Sequence, residues 1–216
     1  MDKRICERET ESVSLPQGDV HLARPSVLLH SCCGPCSTAV IERLAERYRI
    51  VIFFYNPNID DEEEYKRRLK AQEDFVKQYN ASINYHEPIT IVRGNWNSKA
   101  FHERSKGLED EPEGGKRCRL CIEQRMEVTA EYAAMNGFEN FTTTLSVSPH
   151  KDYEMILSIG RNLAARFGIN FVNEDFKKKN GFLRSIELSK AHELYRQNYC
   201  GCNYSKRTVE PSEVPE

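Results

Sequence analysis

This chain predicts an α/β fold, with one mostly parallel sheet flanked by helices. Three observations lead there. Short apolar runs rich in Val, Ile and Phe read as buried strands. They alternate with stretches whose apolar residues recur at helical spacing, the order that gives a parallel sheet covered on both faces. A length of 216 residues, 39% hydrophobic and 30% charged, suits one sizeable core beneath a well-solvated surface.

Residues 1–24 are polar and lack apolar periodicity, so a flexible extension is expected ahead of one domain over 25–206. Residues 27–30 read as a strand running into a cysteine loop. Val40, Ile41 and Leu44 mark a helix over 37–48, and 50–55 is a second strand, stopped by Asn56-Pro57-Asn58. The stretch 60–80 opens with acids and turns Lys-rich later, the charge order that a helix macrodipole favours. Residues 83–86 read as a third strand, 94–116 as a helix and then a loop, and 119–135 as a helix closed by Asn136-Gly137. A Thr-rich strand follows over 141–145, then a helix over 152–167 that stops at Gly168, then a strand over 169–172. The last helix, 185–196, ends shortly before Cys200 and Cys202. Residues 207–216, with two prolines and three glutamates, are expected to be disordered.

A formal net charge of −2 gives no global basic footprint for coating nucleic acid. A local basic rim is still available in Lys66-Arg67-Arg68, Lys116-Arg117-Cys118-Arg119 and Lys177-Lys178-Lys179. Each alone reads as a solvated face or loop, although the second sets positive charge among cysteines. No run reaches the length of a membrane span, and residues 1–20 carry no apolar secretory stretch. The expectation is a cytoplasmic protein, where eight cysteines point to metal or redox chemistry rather than structural disulfides.

Seven of those cysteines fall in three groups: Cys32-Cys33-Gly34-Pro35-Cys36, Cys118-Arg119-Leu120-Cys121 and Cys200-Gly201-Cys202, with Cys6 standing alone. Parallel sheets bind ligands at the carboxyl ends of their strands, where the first group sits. The helix that follows favours thiolates and anionic clusters at its N-terminus. Cys33-Gly34-Pro35-Cys36 also matches a thioredoxin-type redox motif. A cysteine where thioredoxins carry Trp, the length of the chain and four further paired cysteines argue against that reading. Cys118 and Cys121 can chelate one metal or cluster from a single turn, zinc included. With Cys32 and Cys33 they supply four thiolates, the requirement of a [4Fe–4S] cluster, whose separate corners suit adjacent cysteines better than one tetrahedral zinc does. Gly201 permits a tight turn between Cys200 and Cys202, which suits a redox relay or an additional metal clamp. Tyr199 and Tyr204 beside that pair read as packing groups.

His30-Ser31-Cys32-Cys33-Gly34-Pro35-Cys36, Phe54-Tyr55-Asn56-Pro57-Asn58-Ile59 and Glu64-Tyr65 with Arg68 open a longer pattern. Arg117-Cys118-Arg119-Leu120-Cys121 and the stretch from Thr142 to Ser148-Pro149-His150-Lys151 continue it. Ser189-Lys190 and the run from Leu194 to Cys202 close it. In order and over about residues 26–207, these segments resemble the cobalamin-independent epoxyqueuosine reductases, the QueH family. The resemblance implies the last step of queuosine biosynthesis, two-electron deoxygenation of epoxyqueuosine to queuosine at the wobble position of tRNA. It implies a fold like the adenine nucleotide α-hydrolases (HUP-type). It also implies a [4Fe–4S] cluster at Cys32, Cys33, Cys118 and Cys121. Cys200 and Cys202 then correspond to a redox-active pair, or to ligands of an additional iron near Cys200, Cys202 and Cys36. The implied partners are tRNA bearing epoxyqueuosine and a separate electron donor, with no membrane.

Tyr55, His150 and Asp152, each near an expected strand end, are the candidate proton donors, and His30 reads as a core group. Two other readings stay open. One is a tRNA sulfur-transfer enzyme of related fold, which needs a Gly/Ser-rich pyrophosphate loop where Ser31-Cys32-Cys33-Gly34-Pro35-Cys36 stands. The other is a zinc-stabilised RNA-binding module with Cys118, Cys121, Cys200 and Cys202 as ligands.

Overall fold

The computed structural model describes residues 24–82 and 87–206. Five strands, β1 (Ser26–His30), β2 (Arg49–Phe54), β3 (Thr90–Arg93), β4 (Asn140–Thr143) and β5 (Asn170–Phe171), form one sheet in the order β3-β2-β1-β4-β5. Every pairing is parallel, with Leu28 opposite Val51 on one side and Phe141 on the other. Each residue of β1 is buried because both faces of the sheet are covered. Strand alternation then divides the side chains. Val27 and Leu29 pack with helix α1 (Gly34–Leu44) and helix α2 (Glu62–Ser82), whereas Leu28 and Phe141 pack with helix α4 (Lys116–Met135) and helix α5 (Tyr153–Phe167). Helix α3 (Ser98–Arg104) puts Phe101 against Cys121 and Cys202.

From β1 the chain builds β2 and β3 on one side, then crosses to β4 and β5 on the other. The carboxyl ends of β1 and β4 therefore flank the reversal point, where open α/β sheets leave a crevice.

Several elements differ from the sequence reading, each for a local reason. Helix α1 starts at Gly34, inside the first cysteine motif, since Pro35 suits a first helical turn. Helix α4 starts at Lys116 and so takes in Cys118. Strand β4 gives way at Thr144–Val147 to a 3-10 turn, capped by the Thr143 hydroxyl accepting from Leu145 N at 3.2 Å. The third strand lies at Thr90–Arg93; the segment 83–86 expected as a strand lies outside the described residues, as do residues 1–23, with Cys6, and 207–216. Helix α6 (Gly181–Ala191) sits earlier than expected and stops where Glu193 takes a φ of 52°, with Leu194 N turned back to Ser189 O at 2.9 Å. The chain then runs irregularly to Cys202 and a short helix α7 (Asn203–Lys206). Among the described residues no helix is long and apolar enough to cross a membrane.

Candidate active site

The first cysteine loop is anchored from beneath. His30, 0% exposed, lies between β4 and β2: Nδ1 meets Thr143 Oγ1 at 2.8 Å and Nε2 meets the Tyr55 carbonyl at 3.0 Å. A carbonyl only accepts, so Nε2 carries the proton and neutral Nδ1 accepts from the Thr143 hydroxyl. Burial, aided by the nearby Arg125 charge, lowers the His30 pKa from 6.5 to about 4. The neutral ring therefore fixes three strand ends without adding charge. Ser31 donates to Gln72 Oε1 at 2.6 Å, and Asn56 Nδ2 donates to Ser31 O at 2.9 Å. Gly34 lets α1 meet α2 closely: a Cβ there would lie 2.5 Å from the Ala71 carbonyl oxygen.

That anchoring gathers three thiols. The Sγ atoms of Cys32, Cys33 and Cys36 all lie within 4.8 Å of one another, with Cys32 and Cys33 at 3.8 Å. Hydrogen bonds from Cys33 and then Cys36 hold the Cys32 thiol well below its ordinary range, with the Arg125 charge adding to the effect. The same bonds push Cys36 well up, and Cys33 rises to about 12, chiefly through its bond to Cys32. The positive end of α1 favours the negative sulfur there. Gln197 Nε2 reaches Cys33 Sγ at 2.9 Å.

A second group forms across the chain. Cys118 and Cys121, three apart near the start of α4, share one helix face and line a small pocket with Cys200 and Cys202. Gly114 N donates to Cys118 Sγ at 3.2 Å. Burial raises Cys121 to about 12, and raises Cys202 as well.

The Cys200–Cys202 loop is held by a buried ion pair. Arg68, 1% exposed, donates Nη1 to Cys200 O and Nη2 to Tyr199 O, each at 3.0 Å, and Nε to Glu64 Oε1 at 2.6 Å. Glu64 also accepts from Tyr195 OH at 2.7 Å. Gly201 takes a φ of 120°, and a Cβ there would meet Ile59 Cγ1 at 2.9 Å, so the turn needs glycine. The expectation of solvated basic faces fails at Arg68 and at Arg117, which is 4% exposed with Nη1 on the carbonyls of Leu108 and Glu109.

Between the two groups opens a cleft of about 500 Å³, lined among others by Cys32, Cys36, Arg125, His150, Lys151 and Cys200. Cys32 Sγ approaches Thr144 Oγ1 at 3.8 Å, beside the ends of β1 and β4. Arg125, Lys151 and Cys200 line both the cleft and the small pocket. Burial opposes the Lys151 charge, but the neighbouring sulfurs of Cys200 and Cys118 more than compensate and raise its pKa.

The structure thus brings Cys32 and Cys33 together with Cys36, and Cys118 and Cys121 together with Cys200 and Cys202. All seven are free thiols. Of the three candidate proton donors, His150 lines the cleft. Asp152 caps α5, its Oδ1 accepting from Glu154 N at 2.9 Å and Met155 N at 3.3 Å. Tyr55 is packed among Phe53, Ile122 and Met126, and burial raises its pKa. Sequence reasoning passed over Arg125, and it quoted Gln197, Glu64 and Arg68 only within the family pattern, giving none of them a role at the site. The Glu64–Arg68 pair had a signal, since acid and base four apart on a helix are neighbours.

Residues 27–208 match the family model described as "Epoxyqueuosine reductase QueH". The chain belongs to the QueH family. Epoxyqueuosine reductase QueH of Streptococcus pyogenes serotype M1 is 38% identical over 184 residues, covering 85% of this chain and 71% of the relative. The QueH of Staphylococcus epidermidis is 39% identical over 190 residues, covering 84% and 76%. That of Thermotoga maritima is 36% identical over 180 residues, covering 83% and 90%. The span matched to QueH contains all seven described cysteines, together with His30, Glu64 and Arg68 that position them.

Proposed function

We propose that this chain is an oxidoreductase that deoxygenates epoxyqueuosine to queuosine at the wobble position of tRNA in the cytoplasm, with residues 25–206 as one catalytic unit. The observation that carries the reading is the gathering of seven thiols into two groups, three in the first loop and four around a small pocket, on either side of one cleft in a QueH-family chain.

An iron–sulfur cluster suits this donor set. Soft thiolates are its natural ligands, helix N-termini at α1 and α4 favour negative charge, and buried Arg125 lines the same cavities as the cysteines. Cys32, Cys33, Cys118 and Cys121 would hold a [4Fe–4S] cluster, with Cys200 and Cys202 acting as a redox pair or, together with Cys36, holding an additional iron. Such a centre supplies low-potential electrons one at a time. Turning an epoxide into an alkene consumes two electrons and two protons and releases one water. A Cys200/Cys202 dithiol closing to a disulfide yields two electrons and two protons, which balances the reaction. A separate electron donor then reopens the disulfide.

The other residues bind and orient. His150, which lines the cleft, would pass a proton to the departing oxygen. Arg68 holds the Cys200 carbonyl and so fixes the turn that carries the pair. The close grouping of Cys118, Cys121, Cys200 and Cys202 favours a second assignment, one four-thiolate metal site separate from the first loop. Incubating oxygen-free, iron-loaded protein and a reductant with epoxyqueuosine tRNA, then digesting to nucleosides for mass spectrometry, tests the activity. The expected product has lost one oxygen atom. Unchanged nucleoside from iron-loaded protein would overturn the reading.

A further inference from the structure

Three buried arginines differ in what answers their charge. Arg68 pairs with Glu64 at 2.6 Å. Arg117 has two carbonyls and the Tyr204 ring at 4.3 Å from its guanidinium carbon. Arg125 is 2% exposed and donates Nε to the Cys121 carbonyl at 3.2 Å. No carboxylate lies within 4.0 Å of it among the described residues. A guanidinium stays protonated in proteins, and a buried charge without a counter-charge is strongly unfavourable.

The two cavities that Arg125 lines are rich in cysteine. Cys118, Cys121 and Arg125 fall at i, i+3 and i+7, on one face of α4. Its side chain lines the small pocket with Cys118, Cys121, Cys200 and Cys202, and the cleft with Cys32 and Cys36. Lys151 shares both cavities, but Glu113 at 3.5 Å already answers part of its charge. Among the described residues Arg125 has no such partner.

We propose that Arg125 is the internal counter-ion of the sulfur site, a positioning residue whose fixed charge raises the reduction potential of the centre that the two thiol groups form. The inference rests on the redox reading of those thiols given above. Positive charge in a low-dielectric site stabilises the more negative, reduced state.

The test compares the oxygen-free, iron-loaded full chain with Arg125→Lys and Arg125→Met by optical redox titration, alongside iron content, melting temperature and the kcat and KM for epoxyqueuosine tRNA. Arg125→Met should have the more negative potential, its reduction by a fixed donor becoming less favourable by about tenfold or more. Arg125→Lys should recover most of that loss. If Arg125→Met takes up no iron but melts like metal-free wild type, while Arg125→Lys loads, the charge requirement is again supported. Equal potentials in all three proteins would overturn the inference, as would a raised KM at unchanged potential, which marks a substrate contact. Collapse of the melt in both variants would also overturn it, since Arg125 would then be a structural prop. A wild type with no reducible centre would instead remove the redox reading itself, and this inference with it.

Discussion

The two sulfur groups are built by different means. Cys32, Cys33 and Cys36 come from one short loop whose shape is set by the most buried strand of the sheet and by a helix that starts within the motif. Cys118, Cys121, Cys200 and Cys202 come from a helix and a distant irregular segment, held together by packing and by the hydrogen bonds of Arg68. The first group is therefore pre-formed by local structure. The second exists only when the chain near Cys200 docks, so it is the one to give way first under strain or mutation.

Substitution separates the groups, and its largest effect is chemical. Cys118→Ala should abolish both the iron–sulfur absorbance and turnover. A coloured, active variant would break the assignment of that thiol. Arg68→Met leaves Glu64 buried without its main partner, which costs about 3 kcal/mol. For a chain of this size that lowers the melting temperature by roughly 6–12 °C. Alkylation of metal-free protein followed by peptide mapping should then show Cys200 and Cys202 reacting faster while Cys33 keeps its wild-type rate. Equal acceleration of both would erase the distinction between the groups.

The first group carries its own signature in pH. His30 titrates near 4 in the fold and near 6.5 unfolded, so the unfolded chain takes up the proton first as pH falls. Stability present above pH 6.5 is lost as pH falls toward 4 and changes no further below that on this account, the whole amounting to at most about 3 kcal/mol. Urea melts of the metal-free protein across that window should show the loss, and His30→Asn should flatten it.

Much of this was legible in the sequence, and the limits have physical causes. Strands β1, β2 and β4 carry apolar runs, helix α2 the charge order that a macrodipole favours and helix α5 a glycine stop, and all stand within a few residues of expectation. Strand β3 follows Pro88 with a bare four residues, too short for its pattern to stand out. The cysteine spacing announced sulfur chemistry. It could not show that the pair at Cys200 and Cys202 faces Cys118 and Cys121, because that contact is made by tertiary docking. Nor could it show that Arg68 and Arg117 are buried, since a basic run on a helix normally reads as solvated.

Two smaller effects sharpen the contrast. Gly34→Ala should cost about 1–2 kcal/mol, because overpacking against the Ala71 carbonyl outweighs roughly 0.5–1 kcal/mol of helix propensity. Reduced occupancy at the first loop should accompany it in metal titrations. Asp152→Asn preserves the cap of α5 and removes an ionisable proton, so melting temperature and turnover should both hold. A turnover loss at an unchanged melt would make Asp152 a proton donor in place of His150.

The most direct test of the central claim is the iron, acid-labile sulfide and zinc content of protein purified and reconstituted without oxygen, with visible spectra before and after reduction. The account predicts about four irons and four sulfides per chain and a reducible visible band, with iron beyond four if Cys200, Cys202 and Cys36 hold an additional ion. Zinc without sulfide would contradict it and leave the clustered thiols a structural metal site.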